Sequence, residues 1–205
     1  HLTRQDSVIY EAIGSCYHKM NSGENARSTS RNAIHLSPTE SNLYYKIALT
    51  FMDEMKWDQA RKSIETALVF NPNAYEYELA KGECLMNLGQ YIEAIMAFGM
   101  VVKNRPKTII GWSYLIKSMY LAEAYEDAAE HSLQAYESTG NKPLFLFYHA
   151  FALFALGAID DGLIFLESAL NQAPKQFKKV LELNPSLLQN SRVVDLLAQF
   201  RKSSR

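Results

Sequence analysis

The chain of 205 residues is 48% hydrophobic and 21% charged, enough apolar material to bury a core and too much to stay disordered. Its net charge of −1 lacks the surplus of Lys and Arg that a phosphate backbone demands, which argues against a nucleic-acid partner. No stretch approaches the roughly 20 uninterrupted apolar residues of a membrane helix; the longest candidate, Leu144 to Leu156, contains Tyr148 and His149 and reads as a buried helix.

Leu, Ala, Tyr, Phe and Glu recur throughout while Val- and Thr-rich runs are missing, so helix formers dominate every long segment and an all-α fold is expected. Leu2 to Asp6 lead into the first of five units of equal length. Pro38, Pro72, Pro106 and Pro174 are separated by 34, 34 and 68 residues, with Gly140 where the series skips. Ala26, Ala60, Ala94, Ala128 and Gly162 share the same frame. So do Gly14, Ala48, Gly82 and Ala150, with Ile116 as the exception, and Ala33, Ala67, Val101, Ala135 and Ala169. The repeats are 7–40, 41–74, 75–108, 109–142 and 143–176, each with two amphipathic segments of about 13 residues around a short polar break.

The small residues let two helix axes approach closely. Proline ends each second helix, because it lacks an N–H and clashes with the preceding turn. Gly140 replaces it through a left-handed cap, and Pro143 suits a first helical turn whose N–H groups are unpaired anyway. Glu78 departs from the large apolar side chain found at Tyr10, Tyr44 and Trp112. Ser30 and Ser132 stand where Ile64, Phe98 and Leu166 fill space in other repeats, which predicts looser packing there.

After the fifth repeat, residues 177–205 keep an amphipathic pattern but lose the small columns. They read as two helices broken near Asn184-Pro185 that cap the last repeat with a polar, basic outer side. Seven of the 21 Lys and Arg lie from Lys175 onward, against only Glu182 and Asp195, so a basic tail follows an acidic body. The two cysteines, Cys16 and Cys84, fall at one repeat position two repeats apart. That separation is on the order of 20 Å against a limit of ~7 Å between bridged Cα atoms, so two unpaired, mostly buried thiols are expected.

A 34-residue period with small residues at repeat positions 8, 20 and 27 and proline at 32 resembles the tetratricopeptide repeat (TPR) family over residues 7–176. The resemblance implies a right-handed α-solenoid, here one domain over 1–205 with 177–205 as its cap. It also implies that a partner protein is held on the inner face, lined by the first helix of each repeat. Carried onto this sequence, the partner-contact candidates are Tyr45, Leu49, Met52, Leu79, Glu83, Met86, Asn87, Lys117, Tyr120, Phe147 and Phe151. Such aromatic and Met side chains bury much area and adapt in shape, which suits an amphipathic helix or apolar peptide. Phe147, Phe151 and Phe154 carry two readings: partner contact, or cover by the C-terminal helices or by their own neighbours. Chaperone-binding members clamp a carboxylate with Lys and Asn at positions 5 and 9. Here those positions hold Glu11 with Ser15 and Tyr45 with Leu49, so a chaperone-tail receptor is disfavoured.

Histidines 1, 18, 35, 131 and 149 show no zinc-helix spacing, and there is no phosphate loop, nucleophile elbow or Cys-His pair. Asp160-Asp161 fits the start of a helix, where acids meet the dipole favourably, and His149 reads as a core histidine. No cofactor, metal or catalytic residue is expected. The chain is read as a protein-interaction scaffold, with self-association or docking through its ends or outer face as the alternative. The general character suggests a bacterial origin. Because the sequence starts at His1, export remains open beside the favoured cytoplasmic location.

Overall fold

In the computed structural model, which describes residues 4–203, every regular element among the described residues is a helix. Five helix pairs follow one another: α1 (Arg4–Lys19) with α2 (Gly23–Leu36), α3 (Ser41–Asp53) with α4 (Trp57–Phe70), α5 (Tyr75–Asn87) with α6 (Tyr91–Asn104), α7 (Ile109–Leu121) with α8 (Tyr125–Ser138), and α9 (Leu144–Ala155) with α10 (Ile159–Gln172). The pairs coincide with the five repeats. A 3₁₀ turn (Pro174–Gln176), α11 (Phe177–Leu181), a second 3₁₀ turn (Pro185–Gln189) and α12 (Ser191–Ser203) complete the chain. The break expected near Asn184 is present. Helix α1 begins earlier than the repeat frame, so Arg4 to Asp6 are helical, while His1, Leu2, Thr3, Ser204 and Arg205 lie outside the described residues.

Each pair turns through the same device. Asn21, Met55, Gly89, Glu123 and Gly157 occupy repeat position 15, and all five have positive φ, between 55° and 79°. The next residue then donates its N–H five residues back, as in Lys56 to the Phe51 carbonyl (2.8 Å) and Gln90 to that of Leu85 (2.9 Å). This left-handed cap satisfies carbonyls that the helix end would orphan. Glycine does it without strain in two repeats, whereas Asn, Met and Glu do it in the others, so composition alone hid the position. The proline column ends the second helices: Pro38 and Pro72 follow cap residues Ser37 and Asn71, whose φ values are −141° and −142°, the extended backbone that a following proline enforces. Gly140 takes φ 76° as expected.

Contacts divide the chain into two compact units, residues 1–101 and 102–205. In the first, Ala48, Ala60, Ile64, Ala67, Tyr77, Ala80 and Cys84 form one buried cluster. The small column works as a crossing point: a Cβ on Gly82 would stand 2.5 Å from the Phe98 ring. Beside Ser30, which replaces a large residue, a partly open pocket of about 110 Å³ is lined by Gly14, Ala26 and Thr50 together with His18, Lys19 and Lys46. Arg27 is buried beside it. Its guanidinium donates to Glu54 (2.7 Å), Glu24 (2.9 Å) and Thr50 (3.2 Å) and lies 4.5 Å over the Phe51 ring, which compensates the desolvated charge.

The cysteines need one correction. Both are unpaired, but Cys16 is exposed and only Cys84 is buried. Cys84 packs in the cluster with Ala60 and Ile64 of the preceding α4. The equivalent Cys16 is on the first helix of the first described pair and is exposed.

In the second unit, His149 behaves as a core residue: its Nδ1–H donates to the Ala129 carbonyl at 2.9 Å and its ring meets Phe165 edge-on at 4.3 Å. Burial pulls its pKa below the usual histidine value, while the Ala129 bond opposes that shift. Ser132 is fully buried and returns its hydroxyl to the Ala128 carbonyl at 2.6 Å.

Candidate protein-binding site

The first helix of each pair carries a stripe at repeat positions 2, 5, 9 and 12, spaced three and four residues apart, which puts the four side chains on one helical face. In the first unit the stripe of α3 carries Tyr45, Leu49 and Met52 and that of α5 carries Leu79, Glu83 and Met86, all half-buried, with the exposed Asn87 at its end. Tyr45 stacks obliquely on Tyr77 with centroids 4.6 Å apart, and the Tyr77 hydroxyl shares a hydrogen bond of 3.2 Å with Ser41. Asn87 is held by its own helix, donating to the Glu83 backbone carbonyl at 2.9 Å.

The electrostatics of this face centre on Glu83. Partial burial raises its pKa above the usual carboxylate value, and among the described residues its carboxylate has no ion-pair partner within 4.0 Å. Burial also raises the Tyr45 phenol, helped by the nearby Glu76, Tyr77 and Glu83. Elsewhere on α4 and α5, Arg61 pairs with Asp58 (2.9 Å) and Glu65 (2.7 Å), and Lys81 with Glu78 (4.0 Å). Toward α1 the polar groups satisfy one another. Glu11 accepts from Asn42 and Lys46 at 2.8 Å each, Lys46 reaches Ser15 at 2.8 Å, and His18 faces Asp53 at 3.4 Å.

The corresponding stripe of the second unit is closed. Phe147 and Phe151 are 0% exposed and Tyr120 only 7%, so these three candidates are not available to a partner in this structure. The cause is α11. Phe177 sets its ring against both Phe147 (6.0 Å) and Phe151 (6.3 Å), and Asn184 donates to the Tyr120 hydroxyl at 2.7 Å. Phe147 and Phe151 are covered by the C-terminal segment, and Phe154 is buried against Gly162 of the neighbouring α10. Lys117 sits half-buried at the margin of this cover. Burial lowers its pKa, as does Lys179, while Glu182 raises it. A signal for the cover was available: Phe177 falls at position 1 of what would be a sixth repeat, so α11 is a first helix cut short after five residues.

Glu78, the other departure from the repeat pattern, lines a separate cleft of about 360 Å³ with Arg61, Glu65, Lys81, Met96 and Met100. Among the described residues no group of three or more His, Cys, Asp or Glu is placed to hold a metal ion, and no helix is long and apolar enough to cross a membrane.

No family model matches the sequence, and none of the curated proteins matches it. Solved structures do. One is MamA, from residue 41 to its end, of Desulfovibrio magneticus RS-1, at a TM-score of 0.71 and 17% identity over 88% of this chain and 96% of that one. Another is YrrB, described as a TPR protein with an unusual peptide-binding site, at a TM-score of 0.72 and 15% identity over 83% and 88%. A third is the first TPR of Spaghetti (RPAP3) bound to an HSP90 peptide, at 0.54 and 16% over 61% and 99%. With the five helix pairs and the 34-residue frame, this likeness establishes the fold: the chain is an all-α solenoid of tetratricopeptide-type helical hairpins.

Proposed function

We propose that this protein is an interaction scaffold that receives a peptide or helix of another protein on the α3/α5 face. The observation that carries the reading is the contrast in cover. Tyr45, Leu49, Met52, Leu79 and Met86 stay partly exposed on adjoining helices, whereas the equivalent apolar stripe of the second unit is already occupied by α11. Peptide binding by YrrB and by the RPAP3 repeat supports this use of the fold, though fold likeness alone does not carry a function. Lys117 lies at the edge of the covered stripe and contributes only if a partner extends there.

The test is affinity capture with wild type and with Leu49→Lys and Leu79→Lys variants shown by circular dichroism to be folded. A partner retained by the wild type and lost by both variants is expected. Equal retention would refute the reading.

One observation favours docking through the outer face as a second reading. Ile92, Met96 and Met100 recur every four residues along α6 and are 62%, 69% and 49% exposed, an apolar ridge left uncovered among the described residues. Light scattering across a wide concentration range decides its self-association form: a mass that rises in the wild type and stays monomeric in Met96→Glu supports it, and a strict wild-type monomer removes it.

A further inference from the structure

Repeat position 9 carries Ser15, Leu49, Glu83, Lys117 and Phe151 in turn. Two of these, Glu83 and Lys117, are half-buried charges of opposite sign at the same place on successive first helices. The chain shows how such a stripe is covered. Over the second unit the covering segment brings Phe177 to the apolar positions and Asn184 to the tyrosine, and it sets two charges near Lys117, Lys179 against it and Glu182 in its favour. Over the first unit, Glu83 is half-buried and has no ion pair among the described residues.

From this we infer that the occupant of the α3/α5 face is an amphipathic helical segment that places a Lys or Arg opposite Glu83 within its apolar stripe. The inference rests on the reading of that face as a docking surface and adds the chemistry of what docks. A carboxylate already partly stripped of water loses more of its hydration when an apolar partner covers it, unless a cation or donor arrives with the partner. Glu76, two helical turns away on the same face, and the Tyr45 phenol supply no positive charge to meet it. An acidic segment is therefore rejected and a basic one selected, which is how charges at such surfaces set specificity.

The probe is a set of synthetic helices of about 16 residues, roughly four turns, that share one apolar stripe and differ at a single residue within it, Lys, Gln or Glu. Fluorescence polarisation at low salt measures each against the full chain. Wild type is expected to bind the Lys peptide about tenfold more tightly than the Glu peptide, a difference that one partly desolvated charge pair can supply. Glu83→Gln, which keeps the shape of a side chain without structural partners, is expected to shrink that ratio to within about twofold, and Glu83→Lys to invert it. Equal binding of all three peptides by the wild type, lost in Leu49→Lys, would leave the docking face standing and overturn this inference. A Lys preference that survives Glu83→Gln would overturn it as well, and failure of every peptide to bind would remove both.

Discussion

The α3/α5 face of the first unit and the α7/α9 face of the second are built on one repeat frame yet end in opposite states. Leu49 and Phe151 occupy the same repeat position. The first remains partly exposed beside Glu83, and the second is wholly buried beneath Phe177. Neither helix propensity nor the small-residue columns differ enough to cause this. What differs is the segment that follows. After α10 the chain makes a five-residue α11 in place of a full first helix and lays its aromatic side chain over the phenylalanines. A stripe of this kind is an adhesive surface by default, and the nearest amphipathic segment decides whether it is spent within the chain or left for a partner.

The sharpest way to break this comparison is truncation at the shared position. Phe151→Ala is expected to cost about 3 to 5 kcal/mol, as for other fully buried Phe side chains. Leu49→Ala should cost about 1 kcal/mol, since only part of its apolar area leaves water on folding. Urea unfolding of the two variants measures the difference. Similar losses at both positions would mean that the two faces are equally covered.

A smaller effect distinguishes the helix crossings. Gly82→Ala drives a methyl group to 2.5 Å from the buried Phe98 ring, and overpacking of this kind costs about 1 to 3 kcal/mol, partly offset by the better helix propensity of Ala. At Gly14 the equivalent methyl meets the small Ser30 hydroxyl at 3.3 Å, beside the pocket. Gly14→Ala is therefore expected to stay within about 0.5 kcal/mol of wild type, because the propensity gain cancels the tighter contact. Thermal unfolding of both variants checks the order.

A further effect is expected in the second unit alone. His149 has a depressed pKa in the folded state, so below its ordinary value of about 6.5 the unfolded chain binds a proton that the folded chain resists. Stability is thus unaffected by this group above that pH and falls as the pH drops below it, by at most about 1.4 kcal/mol per pH unit until the folded group also titrates. His149→Gln should flatten that part of the stability profile. An unchanged slope between pH 7 and 5 would assign the dependence to other groups.

Much of the architecture was legible in the residues because each recurring feature has a local cause. Proline cannot continue a helix beyond its first turn, Gly and Ala permit close crossings, and the spacing of three and four residues puts a stripe on one face. The left-handed turn at position 15 was not legible, since Met55 and Glu123 adopt it as readily in the structure as Gly89 and Gly157 do. There the two helices on either side impose the backbone, and the turn residue complies at some cost in strain.

The candidate site was legible only in part for a different reason. The stripe residues could be placed on helices from their spacing, but exposure is a property of what lies across from them. Cys16 and Cys84 share a repeat position and differ in burial, Cys84 lying under Ala60 and Ile64 of α4. Phe147 and Phe151 share stripe positions with Tyr45 and Leu49 and differ in availability because only one pair lies under α11. Periodicity, governed by interactions within a few residues, determined the helices, their pairing and the faces they present. Which face is closed and which stays open was decided by contacts between segments distant in the chain, and that only the tertiary structure records.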